Sequence, residues 1–274
     1  MILDGRSLAA EVLARTKARS VLLDHAPRVL VLSANETPAT LSYLKIKEKR
    51  ASDAGCVLER KRFPEDAPTE ELVAAIRNST ADVVLVQLPL SSDRIARDVC
   101  DAIPLEKDAD VLSAAAREKF EKGESGALLP PVVAAVREIF EHHNIIVEGK
   151  RAVVIGAGFL VGGPCATWLR QQGAVVECVT SDSGNVHEAL ATADILISGA
   201  GSPHLIQPAM LQQGVVLIDA GTSESNGEIV GDADPACAEK CSLFTPVPGG
   251  MGPLAVACLF ENVVTLKEGA KKVQ

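Results

Sequence analysis

The sequence predicts an α/β protein built from βαβ units around largely parallel sheet, and three features carry that expectation. Short apolar runs alternate with helix-period segments along most of the 274 residues, a glycine-rich turn joins a strand to a helix near residue 156, and one long amphipathic helix closes the chain. A chain of this length holds one large or two modest domains with a sizeable core. Hydrophobic residues at 47% and charged residues at 23% exclude wholesale disorder and a fibrous repeat, while aromatics at 3% leave the core to Ala, Val, Leu and Ile. Tyr43 is the single tyrosine, so any task that needs a phenol falls to it.

In the first half, Arg28–Ser33 (RVLVLS) reads as a buried strand, and Thr37 and Pro38 supply an N-cap and a first-turn proline for a helix ending near Gly55. Residues 57–63 form a second strand candidate, and 69–78 a helix opened by a capping-box-like T-E-E-L. The run 81–88 is a continuous apolar strand ending in Gln87-Leu88-Pro89, and 93–103 is a further helix. From 104 to 131 the pattern loosens, with Pro130-Pro131 as punctuation before a helix over 132–143. The pattern restarts at Lys150 with the strand RAVVIG, which runs into GAGFLVGGP and a helix through Arg170. Residues 174–180, 194–198 and 215–220 follow as three more strands, and 253–271 as the final helix.

Charge and cysteine usage narrow the function classes. With 27 Lys+Arg against 36 Asp+Glu the net charge is −9, the wrong sign for holding nucleic acid through the overall field. No apolar run is long enough for a membrane span, and Asp4 and Arg6 interrupt the place where a secretory signal needs its apolar stretch, so a cytoplasmic protein without a membrane partner is expected. Seven scattered cysteines without a C-x-x-C pair read as buried free thiols, and five histidines without ligand spacing give no reason to expect a metal.

Gly156, Gly158 and Gly162 follow the spacing G-x-G-x-x-x-G, one residue longer than the usual dinucleotide fingerprint. Glycines at a strand-to-helix junction allow a tight turn and let backbone N–H groups approach a pyrophosphate at the helix N-terminus. Asp182, at the end of the following strand, can accept hydrogen bonds from both ribose hydroxyls of NAD, and no Arg or Lys stands in that turn to neutralise a 2′-phosphate. Tyr43 and Lys47 lie four apart and share a helix face, where a phenol can stack on a flat ring and an amine in a desolvated cleft can move a proton. Gln87 interrupts an apolar strand at its carboxyl end, the edge where open α/β sheets hold ligands, and Asp110 follows the Pro104 turn. Residues 245–255 (TPVPGGMGPLA) make a rigid, side-chain-poor stretch that suits close backbone approach to a planar or anionic ligand.

Taken in order, DGRSLA at 4–9, the Y-x-x-x-K of Tyr43 and Lys47, VQLPL at 86–90, KDAD at 107–110, GAGFLVGGP, LIDAG, VGDAD and TPVPGGMGP resemble the bifunctional methylenetetrahydrofolate dehydrogenase/cyclohydrolases over nearly the whole chain. The resemblance implies two α/β domains: a folate-binding catalytic domain of 1–131 plus 253–274, to which the last helix returns, and a Rossmann-type domain of 132–252. Folate would lie in the cleft between them. It further implies that Tyr43 stacks on the aminobenzoate ring, Lys47 transfers the proton of the cyclohydrolase step, Gln87 orients that lysine, and Asp110 hydrogen-bonds the pterin. Pro248, Gly249, Gly250, Gly252 and Pro253 would line the folate site. Gly156, Ala157, Gly158, Val161, Gly162, Ser181, Asp182, Gly199 and Ala200 would bind the dinucleotide.

The family default is NADP, no metal is expected, and a homodimer is implied. The chain departs from the family pattern at Pro130-Pro131-Val132-Val133-Ala134-Ala135, where P-C-T-P-x-G is usual, at Val111, where a glycine is usual, and at Gly158, where a serine is usual. Gly158 and Asp182 turn the cofactor expectation toward NAD. The implied chemistry is oxidation of methylenetetrahydrofolate and hydrolysis of the methenyl product to formyltetrahydrofolate. The alternatives are a dehydrogenase that has lost the hydrolytic step and a non-catalytic paralogue that binds nucleotide or folate.

Overall fold

Apolar runs with no polar alternation need both faces covered, and RVLVLS, VVLV, RAVVI, ILIS and VVLID all become strands with at most one exposed residue. The computed structural model describes residues 1–34, 37–181, 183, 186–225 and 228–271. In chain order the elements are α1 (Gly5–Ser20), β1 (Arg28–Ser33), α2 (Pro38–Asp53), β2 (Val57–Arg62), α3 (Thr69–Arg77), β3 (Val83–Val86), α4 (Asp93–Asp101), α5 (Ala114–Glu121) and α6 (Pro131–His142). They continue as β4 (Arg151–Ile155), α7 (Gly162–Gln171), β5 (Val175–Val179), α8 (Val186–Leu190), β6 (Ile195–Ser198), β7 (Val215–Asp219), β8 (Ser223–Ser225), β9 (Glu228–Val230), β10 (Cys241–Phe244) and α9 (Met251–Lys271). Packing groups them into two units, Ala10–Pro131 with Val256–Gln274 and Met1–Ala9 with Val132–Ala255.

The first of these units holds a parallel sheet of order β2-β1-β3. Its edge strand β2 (VLERKR) carries one acidic and three basic residues and is largely exposed, which discourages pairing with a further strand. The chain leaves β1 for β2 on one side and returns to β3 on the other, so the loops after β1 and β3 flank a topological switch point, where open sheets bind ligands. Helix α2 leaves the first of those loops, with Thr37 capping its N-terminus by accepting from Thr40 N at 3.2 Å. Gln87 occupies the second, its N–H extending the ladder to Leu32 O at 2.8 Å. Within the unit, α9 is clamped to α1 by Arg15, whose Nε and Nη2 reach Glu261 at 2.9 and 3.2 Å, and by Arg19, whose Nη2 reaches Glu268 at 2.7 Å and Thr265 Oγ1 at 2.8 Å.

The second unit holds a five-stranded parallel sheet of order β10-β7-β6-β4-β5, with the hairpin β8-β9 beside it. Its switch point falls between β4 and β6. The outer edge of β10 is covered by the N-terminus: Leu3 N donates to Phe244 O at 2.8 Å, and Ile2 bridges Phe244 in parallel.

Several local expectations change. Thr69 does not cap α3; the N-cap is Pro68 and makes no side-chain cap bond, because the helix starts one residue before a threonine cap would allow. The loosened stretch 104–131 contains a 3-10 turn at Leu105–Lys107 and helix α5, which is capped by Ser113 and by Asp101 accepting from Ala114 N at 2.7 Å. The N-terminal segment forms α1, capped by Asp4 Oδ1 accepting from Arg6 N and Ser7 N at 3.1 Å each. Helix α9 begins at Met251, so Gly252 and Pro253 are helical and the preceding loop ends at Gly250. Six cysteines are buried, but Cys178 on the edge strand β5 is exposed.

Candidate active site and nucleotide-binding loops

In the unit built on β2-β1-β3, three of the predicted polar residues meet. Lys47, half-buried on α2, donates from Nζ to Gln87 Oε1 at 3.1 Å. Gln87 is fixed from its other end, where Nε2 donates to Leu88 O at 2.7 Å just before the cis Leu88–Pro89 bond. Asp110 is close enough to Lys47 for the two charges to interact. Burial raises the Asp110 carboxyl above its ordinary value; the Lys47 ammonium opposes that rise and Asp108 adds to it. Tyr43, half-buried, lies one turn before Lys47 on the same helix face, flanking the buried Leu44 and Ala51.

Two residues outside the sequence-based set hold Asp110 in place. The buried Asp108 carboxylate accepts from Leu112 N at 3.1 Å and Ser113 N at 2.8 Å, closing the turn that carries Asp110. Asn262 on α9, also buried, donates to both Ala109 O and Leu129 O at 2.9 Å. Between these anchors Val111 adopts φ +57°, so the backbone keeps a left-handed conformation that favours glycine although a buried β-branched residue occupies it. Such a position stores about 1–2 kcal/mol of strain.

In the unit with the five-stranded sheet, the glycines of the fingerprint divide their work. Gly156, directly after β4, has φ +86°, and a Cβ there would lie 2.8 Å from Gly199 O. A Cβ on Gly162, the first residue of α7, would collide with Gly156 O. Gly158 faces open space, with nothing within 4 Å of a Cβ. The outer two glycines therefore set the tight turn and the strand-to-helix packing, and the middle one leaves the backbone approachable by a phosphate. Val161 is the N-cap of α7 and makes no side-chain cap bond; Gly163 N donates to Gly158 O at 3.0 Å within the turn, and Pro164 carries no N–H. Across the switch point, the Gly199–Ala200 loop follows β6, with Gly199 against the Val161 side chain. Ala157 and Ala200 are exposed.

Ser181 is exposed in a turn after β5 closed by Thr180 N donating to Ser183 Oγ at 2.9 Å. Asp182 lies outside the described residues. In the loop after β10, the Val247–Pro248 bond is cis and Gly249 has φ +106°, while Gly250 N donates to Pro246 O at 2.7 Å. A Cβ on Gly5 would strike Gly250 O, which explains the glycine after Asp4.

Two buried aspartates order the carboxyl edge of this sheet, and sequence reasoning assigned neither a role. Asp219, at the end of β7, accepts from Gly221 N (2.9 Å), Asp232 N (3.2 Å) and Ala233 N (2.9 Å). Asp232 accepts from Ser198 Oγ (2.6 Å), Ala200 N (2.8 Å) and Ser202 N (2.8 Å). Their signal in the sequence is an acidic residue ending one apolar strand and another beside a glycine in VGDAD, neither of which has a solvent-facing reason to be there. Burial pushes the Asp219 carboxyl up to about 6; its three backbone donors oppose the rise and Asp232 adds to it.

Residues 3–110 match the family described as tetrahydrofolate dehydrogenase/cyclohydrolase, catalytic domain, and residues 130–271 match the NAD(P)-binding domain of the same family. A bifunctional protein FolD from a Hydrogenobaculum species is 35% identical over 99% of this chain and 99% of its own. The bifunctional methylenetetrahydrofolate dehydrogenase/cyclohydrolase of Campylobacter jejuni superposes with a TM-score of 0.93 at 30% identity, covering 98% of this chain and 99% of that one. The Trypanosoma brucei dehydrogenase-cyclohydrolase, solved with NADP and an inhibitor, gives a TM-score of 0.93 at 27% identity over 99% and 98% of the two chains.

The two kinds of glycine should respond differently to a methyl group. Gly162→Ala should destabilise the protein by roughly 1–3 kcal/mol or more, because its clash is with backbone, whereas Gly158→Ala should change stability by at most about 0.5 kcal/mol in urea unfolding. Equal effects would remove the division of labour. Asp219 gives a pH signature of definite sign. Its folded-state pKa lies above the unfolded value, so its stabilising contribution is present below the ordinary carboxylate range and is lost as pH rises through about 6. Relative to Asp219→Asn, the wild-type protein should gain roughly 1–3 kcal/mol of unfolding free energy between about pH 7 and about pH 4. A difference that stays flat with pH contradicts the raised carboxyl.

Proposed function

The chain belongs to the tetrahydrofolate dehydrogenase/cyclohydrolase family, and from that premise we propose how its residues carry two activities, the oxidation of methylenetetrahydrofolate and the hydrolysis of the methenyl product to formyltetrahydrofolate. The observation that carries the proposal is the Lys47–Gln87 hydrogen bond beside Asp110. Folate handling is assigned to 1–131 with 253–274, and dinucleotide binding to 132–252.

In the hydrolytic step, water adds to the methenyl carbon and a carbon–nitrogen bond breaks; of the two protons the water sheds, one leaves to solvent and the other has to reach the departing ring nitrogen. Lys47 is the group assigned to that transfer. Gln87 accepts one Nζ hydrogen and so directs the amine, leaving its remaining positions for water and substrate. Asp110 is assigned to the pterin N–H groups, Tyr43 to stacking on the aminobenzoate ring, and the 248–253 segment with Pro248, Gly249, Gly250, Gly252 and Pro253 to lining the folate.

In the oxidative step a bound nicotinamide supplies the hydride acceptor. The protein's part is to bind and align the reactants and to exclude water. Gly156, Ala157, Gly158, Val161 and Gly162 would hold the pyrophosphate, with Ser181, Gly199 and Ala200 around the rest of the dinucleotide. Asp182 would accept from the ribose hydroxyls and repel a 2′-phosphate, which supports NAD; the relative solved with NADP represents the opposite outcome. The same reading expects a cytoplasmic homodimer that supplies formyl groups of the kind used in purine synthesis; among the described residues no helix is long and apolar enough to cross a membrane. The departure at Pro130–Ala135 is what keeps a dehydrogenase lacking hydrolysis as the second reading.

Lys47→Met should abolish methenyl hydrolysis, a loss of about 100-fold or more, while nucleotide binding stays at the wild-type level. Retained hydrolysis would take the proton-transfer role away from Lys47. With methylenetetrahydrofolate as substrate, kcat/KM with NAD should equal or exceed that with NADP; an NADP advantage of about tenfold or more refutes the role of Asp182.

A further inference from the structure

The loop at 199–202 projects exposed residues at the sheet's switch point, yet its backbone is held from beneath by a carboxylate that never reaches solvent. Asp232 is fully buried, and its Oδ2 accepts from both Ser198 Oγ and Ala200 N while Oδ1 accepts from Ser202 N. Ala200, Gly201 and Ser202 are exposed, so the two backbone donors point inward and the opposite side of the loop is free for a ligand. The same loop presses on the fingerprint turn, with Gly199 O close to Gly156 and Gly199 against the Val161 side chain. Asp232 is itself positioned by Asp219, which accepts its backbone N–H at 3.2 Å and that of Ala233 at 2.9 Å. Gly221 and Gly231 leave room for these carboxylates, since a Cβ on Gly221 would strike the Asp232 carboxyl and one on Gly231 the Asp219 carboxyl. Carboxyl ends of β6 and β7 are paired in register at Ser198 and Asp219, so strand ends and loops form one connected network.

We propose that Asp232 is a positioning residue for the dinucleotide: by fixing the backbone of 199–202 it sets the shape of the second wall of the nucleotide site, opposite the glycine-rich turn. This rests on the assignment of Gly199 and Ala200 to dinucleotide binding. Asp232 touches no ligand; it acts through the loop. A carboxylate suits the task because it accepts three hydrogen bonds and donates none. In Asp232→Asn the amide oxygen still serves Ser202 N–H and the Ser198 hydroxyl can turn to accept from the new amide, but the Ala200 N–H then faces a donor. The expected damage is therefore confined to the loop.

The test measures NAD and NADP dissociation constants by titration of the purified protein, with dehydrogenase kinetics and methenyl hydrolysis alongside. Asp232→Asn should raise the dissociation constant and KM of the preferred nucleotide about tenfold while kcat at saturating nucleotide falls by no more than about threefold. Ser198→Ala, which removes one donor and leaves the carboxylate, should weaken binding by about threefold and decides the matter if Asp232→Asn does not fold. Wild-type nucleotide affinity in both variants overturns the proposal, as does a loss of methenyl hydrolysis in step with the loss of binding, since that pattern marks general collapse. Failure of the wild-type protein to bind either nucleotide would instead remove the dinucleotide assignment itself, and this inference with it.

Discussion

Buried carboxylates that accept backbone N–H groups hold the functional edges of this protein together. Loops at the ends of parallel strands carry donors with no ladder partner, and leaving such groups buried and unpaired costs more than the hydrogen bonds themselves contribute. Asp108, Asp219 and Asp232 each take two or three such bonds while almost fully buried. Charge-assisted bonds of this kind are the strong ones, and they fix loops that would otherwise sample many conformations. The desolvation they incur is visible in the raised Asp219 carboxyl.

The same device serves both units with different results. Around Asp110, the Asp108 carboxylate and the Asn262 amide hold a turn tightly enough to keep Val111 left-handed, so the backbone shape persists although the residue that would relax it is absent. Around the fingerprint turn, the constraint is close approach: Gly156, Gly162 and Gly199 are glycines because backbone and Val161 atoms occupy the space of a side chain. Gly158 is under no such demand, since nothing lies within 4 Å of a Cβ there.

The buried parallel strands were legible because continuous apolar runs of four to six residues have no other stable home, and β1, β3, β4, β6 and β7 lie within about a residue or two of where the runs predict them. Helices marked by a threonine cap and proline, such as α2, were equally plain. Helices α1 and α5 were not, since their start signals are single capping residues, Asp4 and Ser113, and several of the side chains they bury, Ala9, Thr16, Ser20 and Ala116, are small or polar. At Thr69 the capping pattern misled, because the chain enters α3 through Pro68 and leaves the threonine inside the helix. In the candidate site, Lys47 and Gln87 were identifiable from their places on a helix face and a strand end, and the structure joins them.

By itself the sequence determined the α/β class, the central strands, the glycine-rich turn and the chemical inventory of lysine, glutamine, aspartate and a single tyrosine. Those follow from hydrophobic periodicity and residue chemistry, which are local. Tertiary structure alone decided that Asn262 reaches the carbonyls of Ala109 and Leu129 from the last helix, and that Asp232 reaches under a loop thirty residues away in the chain. These contacts join segments with no common periodicity. Their energy comes from satisfying buried backbone groups whose partners exist only after the sheets have formed.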